Sequence, residues 1–275
     1  MSDHSTDSPP PPPFSLPRPN VYEVHSSALH ICLPFDTSAA TSLTSSPCTP
    51  AIHNGSAWLV IVIDDLSQLS SYVGFGRFLP TGMGGWMSKL NLLVNCPVPS
   101  SPSASSVPGY QILSLDFERS PLAGRLKKLG ARLTQKVPAH TSDFSSSLSS
   151  SDLSMSMSRP RFLSGAHKHS LVEITGSLSP PSPSELPLIE FVAKRPHKFL
   201  HQHKSSIAWS PWGDGWESPT EDVKRVDATT LDVAFLLKRE LPPEIAAQVD
   251  PSKAFCFLQP QYILIDLHNT TLPPC

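Results

Sequence analysis

The run Ala57–Ile63, AWLVIVI, is the strongest constraint on what this chain can fold into. It holds seven consecutive apolar residues, mostly β-branched or aromatic, and ends on two carboxylates, Asp64 and Asp65. A run of that length is too short to span a bilayer and reads as a buried strand. Any fold built on it needs further strands around it, and the sequence supplies them. VYEV, ALHICLP, KLNLLVN, YQILSLDFE, SLVEITGSL, LPLIEFVAK, ATTLDVAFLLK, KAFCFLQ and QYILIDLH are all strand-like by alternation or β-branched content. Against them stand two or three helix candidates, the third being ATTLDVAFLLK, which reads as strand or helix and is tilted to strand by its β-branched and aromatic content. Residues 120–136 open with Ser120 and Pro121 as helix-start signals and place Leu122, Leu126, Leu129 and Leu133 on one face. PPEIAAQV is a short helix stopped by Asp250–Pro251. No regular strand–helix alternation and no internal repeat occurs. The expected class is α+β and β-rich, one interrupted antiparallel or mixed sheet or sandwich with a few helices.

Composition sets how much of the chain that core should use. There are 43 Ser and 31 Pro in 275 residues, and only 16% of the chain is charged. Polar segments of this kind cannot bury enough apolar area to offset ordering entropy. We therefore expect a disordered Pro-rich tail over 1–19, a β-rich core part over 20–137, a disordered Ser-rich loop over 138–168 and a continuation of the core over 169–275. The net charge of −2 favours neither nucleic acid nor an anionic membrane. The five Cys are odd in number, widely spaced and free of any Cys-x-x-Cys pair, which argues against a disulfide framework or a zinc ribbon. The N-terminus has neither the basic start nor the apolar core of a secretory signal. These features lead to an expectation of cytoplasmic or nuclear residence.

Chemistry is sought first at strand ends. VIVIDD, ILSLDFE and ILIDLH each finish on acidic residues, where carboxylates can hold a divalent cation or simply support a turn. The opening run resembles the second acidic motif of RecA-like nucleotide-binding folds. Its partner, a Gly-rich phosphate loop ending in Gly-Lys, is absent, which leaves an ATPase-silent RecA-like subunit as one reading. ILSLDFE is similar to the first motif of DEDD-type exonucleases. That resemblance implies metal ligation by Asp116 and Glu118, with Asp64 and Asp65 as further candidates, in a nuclease or phosphoesterase. His140 precedes Asp143 at about the spacing such enzymes use. RELPPEIAAQV looks like the start of an F-box.

Two other clusters stand out. Lys194, Arg195, His197, Lys198, His201, His203 and Lys204 form a basic patch. Cations around these histidines repel a metal, so a surface for phosphate or acidic partners is expected. Trp209, Trp212 and Trp216 gather at a Gly/Pro turn that could form a groove. Ser-Pro or Thr-Pro pairs begin at Ser8, Thr49, Ser101, Ser120, Ser179, Ser182, Ser210 and Ser218, which Pro-directed kinases read in flexible segments. No catalytic constellation is complete and no cofactor motif is present. The expected function is a non-enzymatic intracellular scaffold, a phosphoprotein binding other proteins through its Pro-rich tail and the basic helix 120–136.

Overall fold

The chain closes into a β-barrel. In the computed structural model the described residues are 21–46, 48–65, 68–74, 77–80, 85–97, 106–119, 137–159, 170–193, 197–203, 206–212, 222–266 and 270–271. Sixteen strands form one sheet: β1 Val21–Phe35, β2 Thr49–Pro50, β3 Ile52–His53, β4 Ser56–Asp65, β5 Gln68–Gly74, β6 Arg77–Pro80, β7 Trp86–Pro97, β8 Ser106–Glu118, β9 Ala139–Leu148, β10 Asp152–Ser158, β11 Ser170–Ser179, β12 His197–His203, β13 Ser206–Trp212, β14 Lys224–Asp232, β15 Phe255–Asp266 and β16 Thr270–Thr271. Nine of them form a ring in the order β8-β9-β10-β11-β14-β15-β1-β4-β7, and the β7–β8 pairing closes it. Every ring pairing is antiparallel except β8–β9. The remaining strands extend the wall from β1, β4, β7 and β8.

Closure explains the opening run. Along β4, Leu59, Ile61 and Ile63 point into the barrel, where they pack with residues of the far wall such as Met155, Met157, Val172 and Ile174. Trp58, Val60 and Val62 point outward into a second apolar layer that includes Ile189, Val192 and Ala193. A strand buried on both faces must be apolar at every position, not at alternate ones. The Asn54–Gly55 turn that leads into β4 has positive φ at both residues (51° and 77°), the backbone of a tight hairpin turn.

Among the described residues, four α-helices accompany the sheet. Helix α1 is Thr37–Leu43, capped by the Asp36 carboxylate at the backbone N–H of Ser38 (2.7 Å). Helix α2, Leu186–Ala193, starts where the Ser182 N–H donates to Glu185 Oε2 at 2.8 Å, and buries Ile189, Val192 and Ala193 on the outer layer. Helices α3, Ala234–Glu240, and α4, Pro243–Ala246, insert Leu236, Leu237 and Ile245 into the barrel lumen.

Several expectations change. The sheet is neither open nor a sandwich. A RecA-like core is excluded, because it requires a mostly parallel sheet. The Ser-rich stretch expected as a disordered loop over 138–168 supplies barrel wall instead, since residues 139–158 include β9 and β10. In β10, Leu153, Met155 and Met157 fill the lumen while the intervening serines face away. Of LPLIEFVAK, the described part LPLIEFVA is helical, not a strand, and ATTLDVAFLLK divides into the end of β14 and α3. The start resembling an F-box runs only from the end of α3 into the four-residue α4. Cys48 is disulfide-bonded, against the reading of the cysteine spacing; β2, which follows it directly, pairs with β7. The tail 1–19 and the leucine helix 120–136 lie outside the described residues. Among the described residues, no helix is long and apolar enough to cross a membrane.

Candidate functional site

The acidic strand ends do not converge. Asp64 on β4 pairs in register with Met87, and Met87 with Phe117. Side chains alternate along a strand, so Asp64 shares the outer face with Phe117 while Asp116 takes the lumen face. The two carboxylates lie on opposite sides of one sheet, and a metal bridged between them is ruled out. Glu118 is occupied by the backbone: its Oε2 accepts from the Trp86 N–H at 3.0 Å. Gly85 makes room for that contact, since a Cβ at its φ of +135° would lie 2.6 Å from Glu118 Oε2. Asp65 pairs in register with Trp86 at the end of β4. Among the described residues, no group of three or more His, Cys, Asp or Glu could hold a metal ion.

Asp64 and Asp116 each have a basic partner instead, neither of them evident in the sequence. Outside the barrel, Lys89 Nζ lies 2.6 Å from Asp64 Oδ2, and both side chains are almost fully buried. Lys89 pairs in register with Val62, which sets it diagonally next to Asp64 on the outer face. His30 lies on the same face, stacked on Phe257 with centroids 4.5 Å apart. Burial pushes the His30 imidazole down from 6.5 to about 4; Asp64 opposes this and Lys89 adds to it. A histidine held neutral makes folding sensitive to acid. The unfolded chain protonates near pH 6.5 and the folded chain only near 4, so stability falls as pH drops through that window. The expected loss is about 3 kcal/mol, measured as the shift of the urea midpoint between pH 7 and pH 4.5. His30→Leu should flatten this slope.

Inside the barrel, at the end closed by α3, the apolar lining gives way to charge. Arg239 forks onto Asp116: Nη1 lies 3.3 Å from Oδ1 and Nη2 bonds Oδ2. Its Nε bonds Glu240. The Ser142 hydroxyl donates to Asp116 Oδ1 at 2.7 Å. His140 Nε2 lies 3.3 Å from Glu240 Oε1. Burial works against the Glu240 charge, but His140 and Arg239 outweigh it and hold its carboxyl below the usual range. The Asp116, Glu240 and Arg239 side chains are each under 10% exposed, whereas His140 is 33% exposed. The cluster is therefore sealed on the protein side and reachable through the imidazole. Trp86 and Phe144 stack nearby on the lumen-facing layer, with centroids 6.3 Å apart.

Topology assembles this site. The parallel β8–β9 pairing sets Asp116 beside His140 and Glu118 beside Ser142. Helix α3 then brings Arg239 and Glu240 across from a position 123 residues downstream of Asp116. Of the candidate site residues in the sequence, Asp116 and His140 belong to the cluster, while Arg239 and Glu240 figure there only as the start of the F-box-like run. Of the basic patch, His197, Lys198, His201 and His203 lie on β12. Trp209 and Trp212 lie on β13, so basic patch and aromatic turn are two strands of one hairpin. Lys194, Arg195, Lys204 and Trp216 fall outside the described residues.

Neither a family model nor a curated protein matches the sequence. Solved structures match the fold over nearly the whole chain. An acetoacetate decarboxylase from Legionella pneumophila aligns with a TM-score of 0.58 at 9% identity, covering 99% of this chain and 98% of that one. An acetoacetate decarboxylase-like enzyme from Sphingomonas wittichii RW1 gives 0.57 at 11% identity, over 95% and 96%. The enduracididine biosynthesis enzyme MppR, complexed with pyruvate, gives 0.56 at 11% identity, over 95% and 94%. These findings overturn the expectation of a disordered, phosphorylated, non-enzymatic scaffold. Thr49, Ser179 and Ser210 of the supposed flexible Ser/Thr-Pro sites lie in paired strands, and the fold is one that enzymes carry over their full length.

Proposed function

We propose that this chain is an enzyme acting on a small oxo acid, with its reaction centre at the Asp116–Arg239–Glu240–His140 cluster. The observation that carries this reading is a partly exposed imidazole, backed by a buried carboxylate, at the end of a closed apolar barrel beside a fixed guanidinium. His140 is the general base and removes a proton from the carbon next to the substrate carbonyl. The electron pair of that C–H bond moves toward the carbonyl oxygen, giving an enolate. Arg239 carries five N–H donors, of which three are committed to Asp116 and Glu240. The other two diverge to opposite sides of the guanidinium, so one of them serves the developing oxyanion. Glu240 orients the imidazole and steadies its charge once protonated, and Asp116 with Ser142 holds Arg239 in place. The proton then returns to carbon. The same enolate would arise by loss of CO₂ from a 3-oxo acid.

Carbonyl enzymes can also work through an iminium on a lysine. Among the described side chains Lys89 is the one buried lysine, and it faces away from the lumen with its ammonium held by Asp64. We therefore assign acid–base chemistry. The test is NMR in D₂O with a panel of 2-oxo and 3-oxo acids. Loss of the proton signal next to the carbonyl, or release of acetone from acetoacetate, is expected. A folded chain that gives neither above the buffer rate, or a borohydride-trapped adduct on a lysine, would sink the reading.

A further inference from the structure

Arg239 is shared between two carboxylates, so the acid end of a substrate needs another partner. We propose that Arg159 is that partner, a specificity-determining residue that anchors the carboxylate of the oxo acid; this rests on the reading above. Arg159 directly follows β10, whose last residue, Ser158, pairs with Asp143. Continued by one residue, that antiparallel register sets Arg159 beside Ser142, the residue that bonds Asp116. Alternation along β10 places it next in the lumen row of Leu153, Met155 and Met157.

A second, independent contact reaches the same place. The Arg159 guanidinium lies 5.0 Å over the Phe235 ring. Phe235 and Arg239 are four residues apart in α3 and so stand one above the other on the helix. The two guanidinium groups therefore approach the same side of α3, one at Phe235 and one from a position a turn further along the helix. Their commitments differ. Arg239 is tied to Asp116 and Glu240, whereas Arg159 is exposed and no carboxylate pairs with it among the described residues. A guanidinium steadied by an aromatic face, with its fork open, suits bidentate capture of a carboxylate. A substrate with its acid on Arg159 and its carbonyl on Arg239 presents the carbon next to the carbonyl, the methyl of pyruvate or C2 of a 3-oxo acid, to His140.

Calorimetric titration of the full chain with pyruvate and with its neutral analogue pyruvamide tests this. Arg159→Gln should weaken pyruvate binding roughly 10- to 100-fold and leave pyruvamide unchanged, with Arg159→Lys in between. Equal effects on both ligands, or none on either, would overturn the anchor. The outcome separates the two claims. If pyruvate binding depends on Arg159 but the wild type exchanges no pyruvate protons in D₂O, the anchor stands and the proton-transfer reading falls. If the wild type and Arg159→Gln exchange pyruvate and pyruvamide protons equally, the reading stands and the anchor falls. A wild type that binds neither ligand removes both.

Discussion

Replacing His140 with Gln should lower kcat by about 10²- to 10⁴-fold, the contribution of a positioned general base. Binding should change little, because the amide keeps a polar group near Glu240 while losing the ability to take a proton. The measurement is the rate of deuterium incorporation at saturating oxo acid, with affinity followed by titration. A variant that keeps more than a tenth of the rate would remove His140 from the chemistry. Glu240→Gln should show a smaller loss, since Glu240 acts through the imidazole (3.3 Å) and not on the substrate. The pair separates a direct role from a positioning one: the His140 variant should lose nearly all of the exchange rate, whereas the Glu240 variant should lose only part of it.

Lys89→Met should destabilise the fold by about 3–5 kcal/mol, a large share of the roughly 5–15 kcal/mol that holds a domain together. The reason is what remains. Asp64 is buried, its Oδ2 would lose the Lys89 ammonium, and its Oδ1 already lacks a hydrogen-bond partner. Asp64→Leu alone should cost a similar amount by stranding the ammonium. The double variant Asp64→Leu/Lys89→Met should recover most of the loss, because two apolar side chains suit this layer beside Val60, Val62 and Met87. Urea unfolding of the three variants gives the coupling directly. A single-variant cost under about 1 kcal/mol, as for an exposed pair, would mean that water reaches the ion pair. The same series bears on function. Activity retained in the double variant would confirm that Lys89 supplies no nucleophile.

In this chain periodicity carries more of the fold than composition does. Residues 152–158, DLSMSMS, carry the strict two-residue alternation of a barrel strand, yet their Ser content outweighed it. In LPLIEFVA the β-branched and aromatic content suggested a strand. The spacing of Ile189, Val192 and Ala193, at i, i+3 and i+4, is that of a helix face. Both signals were present. Cys48 shows a different limit: wide spacing along the chain says little about spacing across an antiparallel pair.

The sequence by itself determined that the chain is β-rich, that Ala57–Ile63 is buried, and that carboxylates end the strands. Only the tertiary structure decided what those carboxylates do. Side chains alternate with a period of two, so a one-residue change of register sends an acid to the other face. The β7–β8 ladder contains such an irregularity at Leu90/Asn91. Closure then turned one face into a lumen and the other into an outer layer. Asp64 thus met Lys89 across β4 and β7, while Asp116 met Arg239 from a helix 123 residues away. No local pattern encodes that second meeting, because it depends on the ring closing and on α3 reaching into its end.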